Sequence, residues 1–178
     1  MTNKTLVEPY PRPQSAEWLD RATKLKEAVL VRLDSMPETQ RAIAPAPGEW
    51  SAYGVVEHLV LVEENIAGLW RQRLLEMPSS KVGIKSGLLS SIVSFVFSKT
   101  NFRVPTLTEL EPKEVMGVDE LRNRWDTARK TLVAALPEDT RSAWILHPEF
   151  GPLSSDQMGR LMAAHLEHHL RHWPAPKA

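Results

Sequence analysis

Apolar residues recur at intervals of three and four along four stretches of the chain, and prolines fall between them. Trp18, Ala22, Leu25, Val29, Leu33 and Met36 form the first stripe. They predict a helix that begins after Ser15, a candidate N-cap, and ends at Pro37. The following stretch, PETQRAIAPAPGEW, holds three prolines and a glycine and reads as a true connection. Ser51 then caps a second helix running to about Met77. Its inward stripe is Val55, Leu59, Val62, Ile66 and Leu69, with Glu57, Glu64 and Arg71 on the opposite side. Leu121, Trp125, Ala128, Leu132 and Ala135 predict another helix from about Asp119 to Leu136, closed by Pro137. Ser154 followed by Gln157 has the spacing of a capping box, so the last helix should start at about Ser155. It should stop before Pro174.

Residues 78–117 carry a weaker pattern. KSGLLSSIVSFVFSK (85–99) reads as an additional helix, with a strand-like run as the alternative because Ile92, Val93, Phe95, Val96 and Phe97 favour β structure. RVPTLTELEPKEVMG reads as an extended crossing segment. Four or five amphipathic helices without convincing alternating strands predict an all-α protein, a four-helix bundle. A length of 178 residues suits a single domain spanning 1–178, with 1–14 as an extended N-terminal arm.

Composition narrows the chemistry. There is no cysteine, which excludes disulfides, thiolate metal sites and a cysteine nucleophile. Any zinc-like ion would depend on His, Asp or Glu. Lys plus Arg and Asp plus Glu are both 22, so there is no electrostatic footprint for nucleic acid. No apolar run reaches the roughly 18 residues needed to span a bilayer. GLLSSIVSFVFS comes nearest, and its exposed apolar residues would suit a homodimer contact. The N-terminus has no apolar core of signal-peptide length, so the expected location is cytoplasmic, away from membranes.

The candidate chemistry lies in the last helix, where LMAAHLEHHLRHW holds four of the six histidines. Each residue advances about 100° around a helix. With Met158 at zero, Met162, His165 and His169 all fall within about 40° of it, in the middle of the inward stripe. His172 lies at about 320°, near the helix end, and His168 at about 280°, on the flank. His165 and His169 are one turn apart, as in helical His-x-x-x-His metal sites. Their alternative role is as core histidines bonded to carboxylates or carbonyls. A third ligand is needed, and His58 in VVEHLVLVEEN, at the edge of the second helix's inward face, is the natural one. His147, in a loop before a proline, competes with it. Glu57 points away from the stripe of the second helix and Glu63 lies on its opposite edge from His58, so both are better placed as outer partners than as ligands. There is no His-Glu-x-x-His, no Glu-x-x-His, no Gly-x-Ser-x-Gly and no P-loop.

Three stretches together resemble the DinB-like (DinB/YfiT) superfamily of small helix-bundle proteins. PGEWSAYGVVEHLVLVEEN is similar to its tryptophan, short cap and His-Leu on the second helix. HPEFGPLSSDQ is similar to its lead into the last helix, and HLEHHLRH to its terminal His-x-x-x-His. The resemblance covers about Trp18 to His172, and residues 78–117 are its least family-like part. It implies a four-helix core with long crossover connections and a divalent metal held by three histidines, matching His58, His165 and His169. His168 matches a variable position, and His172 falls where the family often has Gln.

Characterised members of the family include S-transferases and isomerases that use low-molecular-weight thiols. The resemblance therefore implies a metal-dependent transferase that joins such a thiol cosubstrate to a small electrophile, with zinc, nickel or iron as the ion. Two other readings stay open: a hydrolase using metal-activated water, and a non-catalytic metal-binding or stress-response protein. A histidine pH switch is disfavoured by the central placement of the pair on an apolar stripe.

Overall fold

The computed structural model describes residues 14–76, 106–113, 117–136, 144–147 and 151–174. In chain order these form helix α1 (Gln14–Asp34), the single turn α2 (Glu38–Arg41), helix α3 (Ala52–Glu76), a 3-10 turn (Thr108–Leu110), helix α4 (Val118–Ala135), strands β1 (Trp144–His147) and β2 (Gly151–Ser154), and helix α5 (Ser155–Arg171). The arm expected over 1–14 lies outside the described residues except for Gln14, which opens α1. The helix expected over 85–99, with its proposed homodimer contact, lies outside them altogether.

The four long helices make the bundle. Two of their starts, at Ser51 and Ser154, follow the predicted capping chemistry, whereas α1 already opens at Gln14, so Ser15 lies inside the helix rather than capping it. Gly54 N–H donates to Ser51 Oγ at 3.0 Å in front of α3. At α5 both halves of the capping box form, Gln157 N–H to Ser154 Oγ at 3.3 Å and Ser154 N–H to Gln157 Oε1 at 2.8 Å.

Helix directions follow from the contacts. Trp18 packs on Gly159, Arg21 pairs with Glu167, and Trp173 Nε1–H reaches Met36 Sδ, so α1 and the chain running through α5 are parallel. Thr23 meets Arg129, Lys26 meets Asp126 and Asp34 meets Arg122, so α1 and α4 are antiparallel. The parallel pair are the first and last helices of the bundle, so no single connection joins them. Gly159 is required where α1 and α5 touch, because a Cβ there would fall within the Trp18 indole.

Two expectations need correction. The lead into α5 is not a plain loop but an antiparallel hairpin in which Ile145 lies opposite Leu153. Both are buried while Leu146 faces solvent. The alternation is real, but four-residue strands are too short for it to stand out in the sequence. Second, Glu57, expected on the side of α3 opposite its apolar stripe, is only 2% exposed, as is Glu63 at the edge of that stripe. Residues 54–60 are buried without interruption, because α3 is covered from several directions. Glu63 faces α4, where Trp125 Nε1–H donates to its Oε2 at 2.6 Å. Arg129 clasps the same carboxylate with Nε and Nη2, and its Nη1 reaches Thr23 Oγ1 at 2.7 Å. The inward face of α4 is otherwise as predicted: Leu121, Trp125, Ala128, Leu132 and Ala135 are buried.

Among the described residues no helix is long and apolar enough to cross a membrane.

Removing one partner of a buried ion pair leaves the other charge stranded. Arg129→Ala should therefore destabilise the protein by about 3–5 kcal/mol, whereas replacing both partners together, Glu63→Leu with Arg129→Met, should cost much less. Urea unfolding midpoints of the two variants check this, and equal losses would contradict it.

Candidate metal centre

Early in α3, the buried His58 projects toward the last turns of α5. There His165 and His169 occupy successive turns of one face. His165 Nε2 lies 3.2 Å from His58 Nε2 and 3.0 Å from His169 Nε2. The rings make a compact trio, with centroids 5.1 Å apart for His58 with either partner and 4.6 Å for His165 with His169. His58 is 4% exposed, while His165 and His169 keep partial contact with solvent. The inward stripe of α5 thus divides: Met158 and Met162 complete the core, and the two histidines beyond them line a partly open site.

The tautomer of His58 is fixed from outside. Its Nδ1–H donates to the Leu110 carbonyl at 2.8 Å, on the 3-10 turn of the crossing segment. The Nε2 of His58 therefore carries the lone pair that faces His165. Trp50 walls the site, its ring 4.6 Å from His58 and 6.2 Å from His169, nearly parallel to the latter. A turn closed by Glu49 N–H to Ala46 O at 3.0 Å, with Gly48 at φ 78°, brings Trp50 back over α3.

Burial disfavours the imidazolium forms and lowers the pKa of all three rings. For His58 the Leu110 hydrogen bond partly opposes burial. For His165 and His169 burial is the largest cause, and neighbouring imidazoles add to it.

Three neutral Nε2 atoms meeting in this way cannot satisfy one another. His58 presents a lone pair, and a single hydrogen on His165 cannot serve both neighbours well. A divalent ion would resolve the conflict. Bonds of about 2.0–2.1 Å at angles between about 90° and 109° put ligand nitrogens about 2.8–3.4 Å apart. The observed separations of 3.0 and 3.2 Å fall in that window. The donor set fits a divalent ion, and among the described residues no carboxylate joins it.

The structure brings together His58, His165 and His169 and leaves the other histidines out. His147 ends β1, and burial lowers its pKa to about 4. His168 is buried rather than on an open flank, with its ring 5.4 Å from His169 and 4.7 Å from His172. His172 is the exposed C-cap of α5, its N–H bonded to His168 O at 3.0 Å. Sequence reasoning missed the Leu110 carbonyl, since a backbone acceptor leaves no trace in residue type. It quoted Trp50 within a motif without giving it a role.

The sequence model of the DinB superfamily, a superfamily of metal-binding proteins, matches residues 20–172. Among solved structures, the crystal structure of TT2238, described as a four-helix bundle protein, is similar with a TM-score of 0.56 at 23% identity. The match covers 89% of this chain and 96% of that one, and bears on the fold alone. No curated protein matches the chain significantly.

The lowered histidine values set a pH dependence for the metal-free protein. An unfolded histidine takes up a proton near pH 6.5, while His58, His165, His169 and His147 do so only at lower pH when folded. The unfolded state then binds more protons as pH falls below the unfolded value. Stability should be full above that value and decline as pH drops toward the folded ones. Urea midpoints should fall between about pH 7.5 and about pH 5, and the decline should be shallower in the His165→Ala, His169→Ala variant. Parallel declines in the two proteins would contradict this.

Proposed function

The chain belongs to the DinB superfamily, and from that premise we propose that His58, His165 and His169 hold one divalent ion, zinc, nickel or iron, through their Nε2 atoms. The centre transfers a low-molecular-weight thiol to an electrophilic small molecule, within a single cytoplasmic domain spanning 1–178. The observation that carries the metal reading is the convergence of three neutral imidazole nitrogens at 3.0 and 3.2 Å with no carboxylate among them.

A bound ion of this kind would supply Lewis acidity, lowering the pKa of a coordinated thiol or water. The chain's own residues do the rest. Three neutral imidazoles leave coordination positions for a small molecule, as catalytic sites require. The partial exposure of His165 and His169 gives access from solvent, and Trp50 offers an apolar wall beside them. With no cysteine in the chain, the thiol must come from a cosubstrate. The same donor set favours thiol over water as the nucleophile. A thiol starts near pKa 8.5 and needs little help to ionise. Water starts far higher, and among the described residues no carboxylate joins the three imidazoles.

The test has two stages. Protein purified without an affinity tag should carry about one divalent ion per chain, and His165→Ala, His169→Ala should lose it while remaining folded. Equal metal in both proteins would remove the site. The metal-loaded protein should then couple bacillithiol, mycothiol or glutathione to a model electrophile. Hydrolysis of esters or amides without thiol transfer would favour the hydrolase, and no turnover with any of them the non-catalytic reading.

A further inference from the structure

We propose that Glu57, buried one residue before His58, is a positioning residue for the metal centre. It anchors the crossing segment whose Leu110 carbonyl orients the His58 ring. The proposal rests on the three-histidine reading and adds a residue outside the ligand set.

Two hydrogen bonds tie residues 106–113 to adjacent positions of α3. Lys113 N–H donates to Glu57 Oε2 at 3.0 Å, and His58 Nδ1–H donates to Leu110 O at 2.8 Å. The two residues between these anchors, Glu111 and Pro112, are stiff. Glu111 is extended, at φ −72° and ψ 131°, as a residue before proline prefers. Pro112 fixes its own φ. On the other side, Leu110 N–H is held by Leu107 O at 2.8 Å and Glu111 N–H by Thr108 O at 3.3 Å. The Leu110 carbonyl is therefore braced from both directions, and the Glu57 carboxylate is the brace that reaches α3.

The buried Glu57 carboxylate interacts electrostatically with the Arg124 guanidinium, and it also accepts from the Lys113 amide, a contact that an apolar side chain filling the same space could not make. It makes sense as a fixed acceptor that sets the height of the segment above His58. Outer partners of metal-binding histidines act in this way, and losing one weakens metal binding about 10–100-fold.

The experiment is a cobalt(II) titration of the full chain, followed by d–d absorption, with unfolding midpoints measured in parallel. Glu57→Ala should bind cobalt at least about tenfold more weakly than wild type, with a changed band shape. Glu57→Gln keeps an oxygen acceptor for Lys113 N–H and should stay close to wild type. Pro112→Gly keeps both hydrogen-bonding atoms and leaves the buried carboxylate untouched while loosening the strut. It should lose affinity by a few-fold, and it decides the matter if Glu57→Ala does not fold. Wild-type affinity and spectrum in folded Glu57→Ala and Pro112→Gly would overturn the proposal. So would equal losses in Glu57→Ala and Glu57→Gln. A wild type that fails to bind cobalt would instead remove the three-histidine site, and this proposal with it.

Discussion

Three imidazole nitrogens held 3.0 and 3.2 Å apart must be kept neutral and kept from turning away, and the rest of the structure serves those two needs. Burial meets the first by disfavouring the protonated rings. Hydrogen bonding and packing meet the second. His58 is pinned through Nδ1 by the Leu110 carbonyl, and Trp50 lies against His58 and His169. A metal-free trio of this kind is a frustrated arrangement whose natural resolution is a cation.

The bundle supplies the frame. His58 and the histidine pair come from α3 and α5, so the site depends on how those helices are held within the bundle. The parallel packing of α1 on α5 through Trp18 and Gly159 fixes one side. The buried Glu63–Arg129 pair, with Trp125 and Thr23, fixes α3 against α4 and α1. Such a network contributes more to registry than to net stability, because its charges must be desolvated. A registry role is what a site shared between helices demands, since a shift of one helical turn would separate His58 from the pair on α5.

Much of this was legible in the sequence because it depends on periodicity and on side-chain chemistry near in the chain. The α5 capping box, the stripes of α1 and α4, and the i, i+4 spacing of His165 and His169 are local signals. His58 was legible only as an edge position on its own helix, and its meeting with α5 needed either the fold or the family resemblance. What stayed hidden depends on long-range burial. Glu57 read as lying opposite the apolar stripe of α3 and Glu63 as an edge position, yet α3 is covered on those sides too, by residues 106–113 and by α4. His168 read as a flank residue for the same reason. The hairpin before α5 was lost because four-residue strands give the alternation too little length.

The most direct test of the central claim is X-ray absorption at the metal edge of protein loaded with one equivalent of zinc or cobalt. Ligation by His58, His165 and His169 predicts three imidazole nitrogens at about 2.0–2.1 Å, with their outer-ring scattering, plus one or more exchangeable light ligands. A first coordination shell without imidazole scattering, or one unchanged by His165→Ala, His169→Ala, would contradict it.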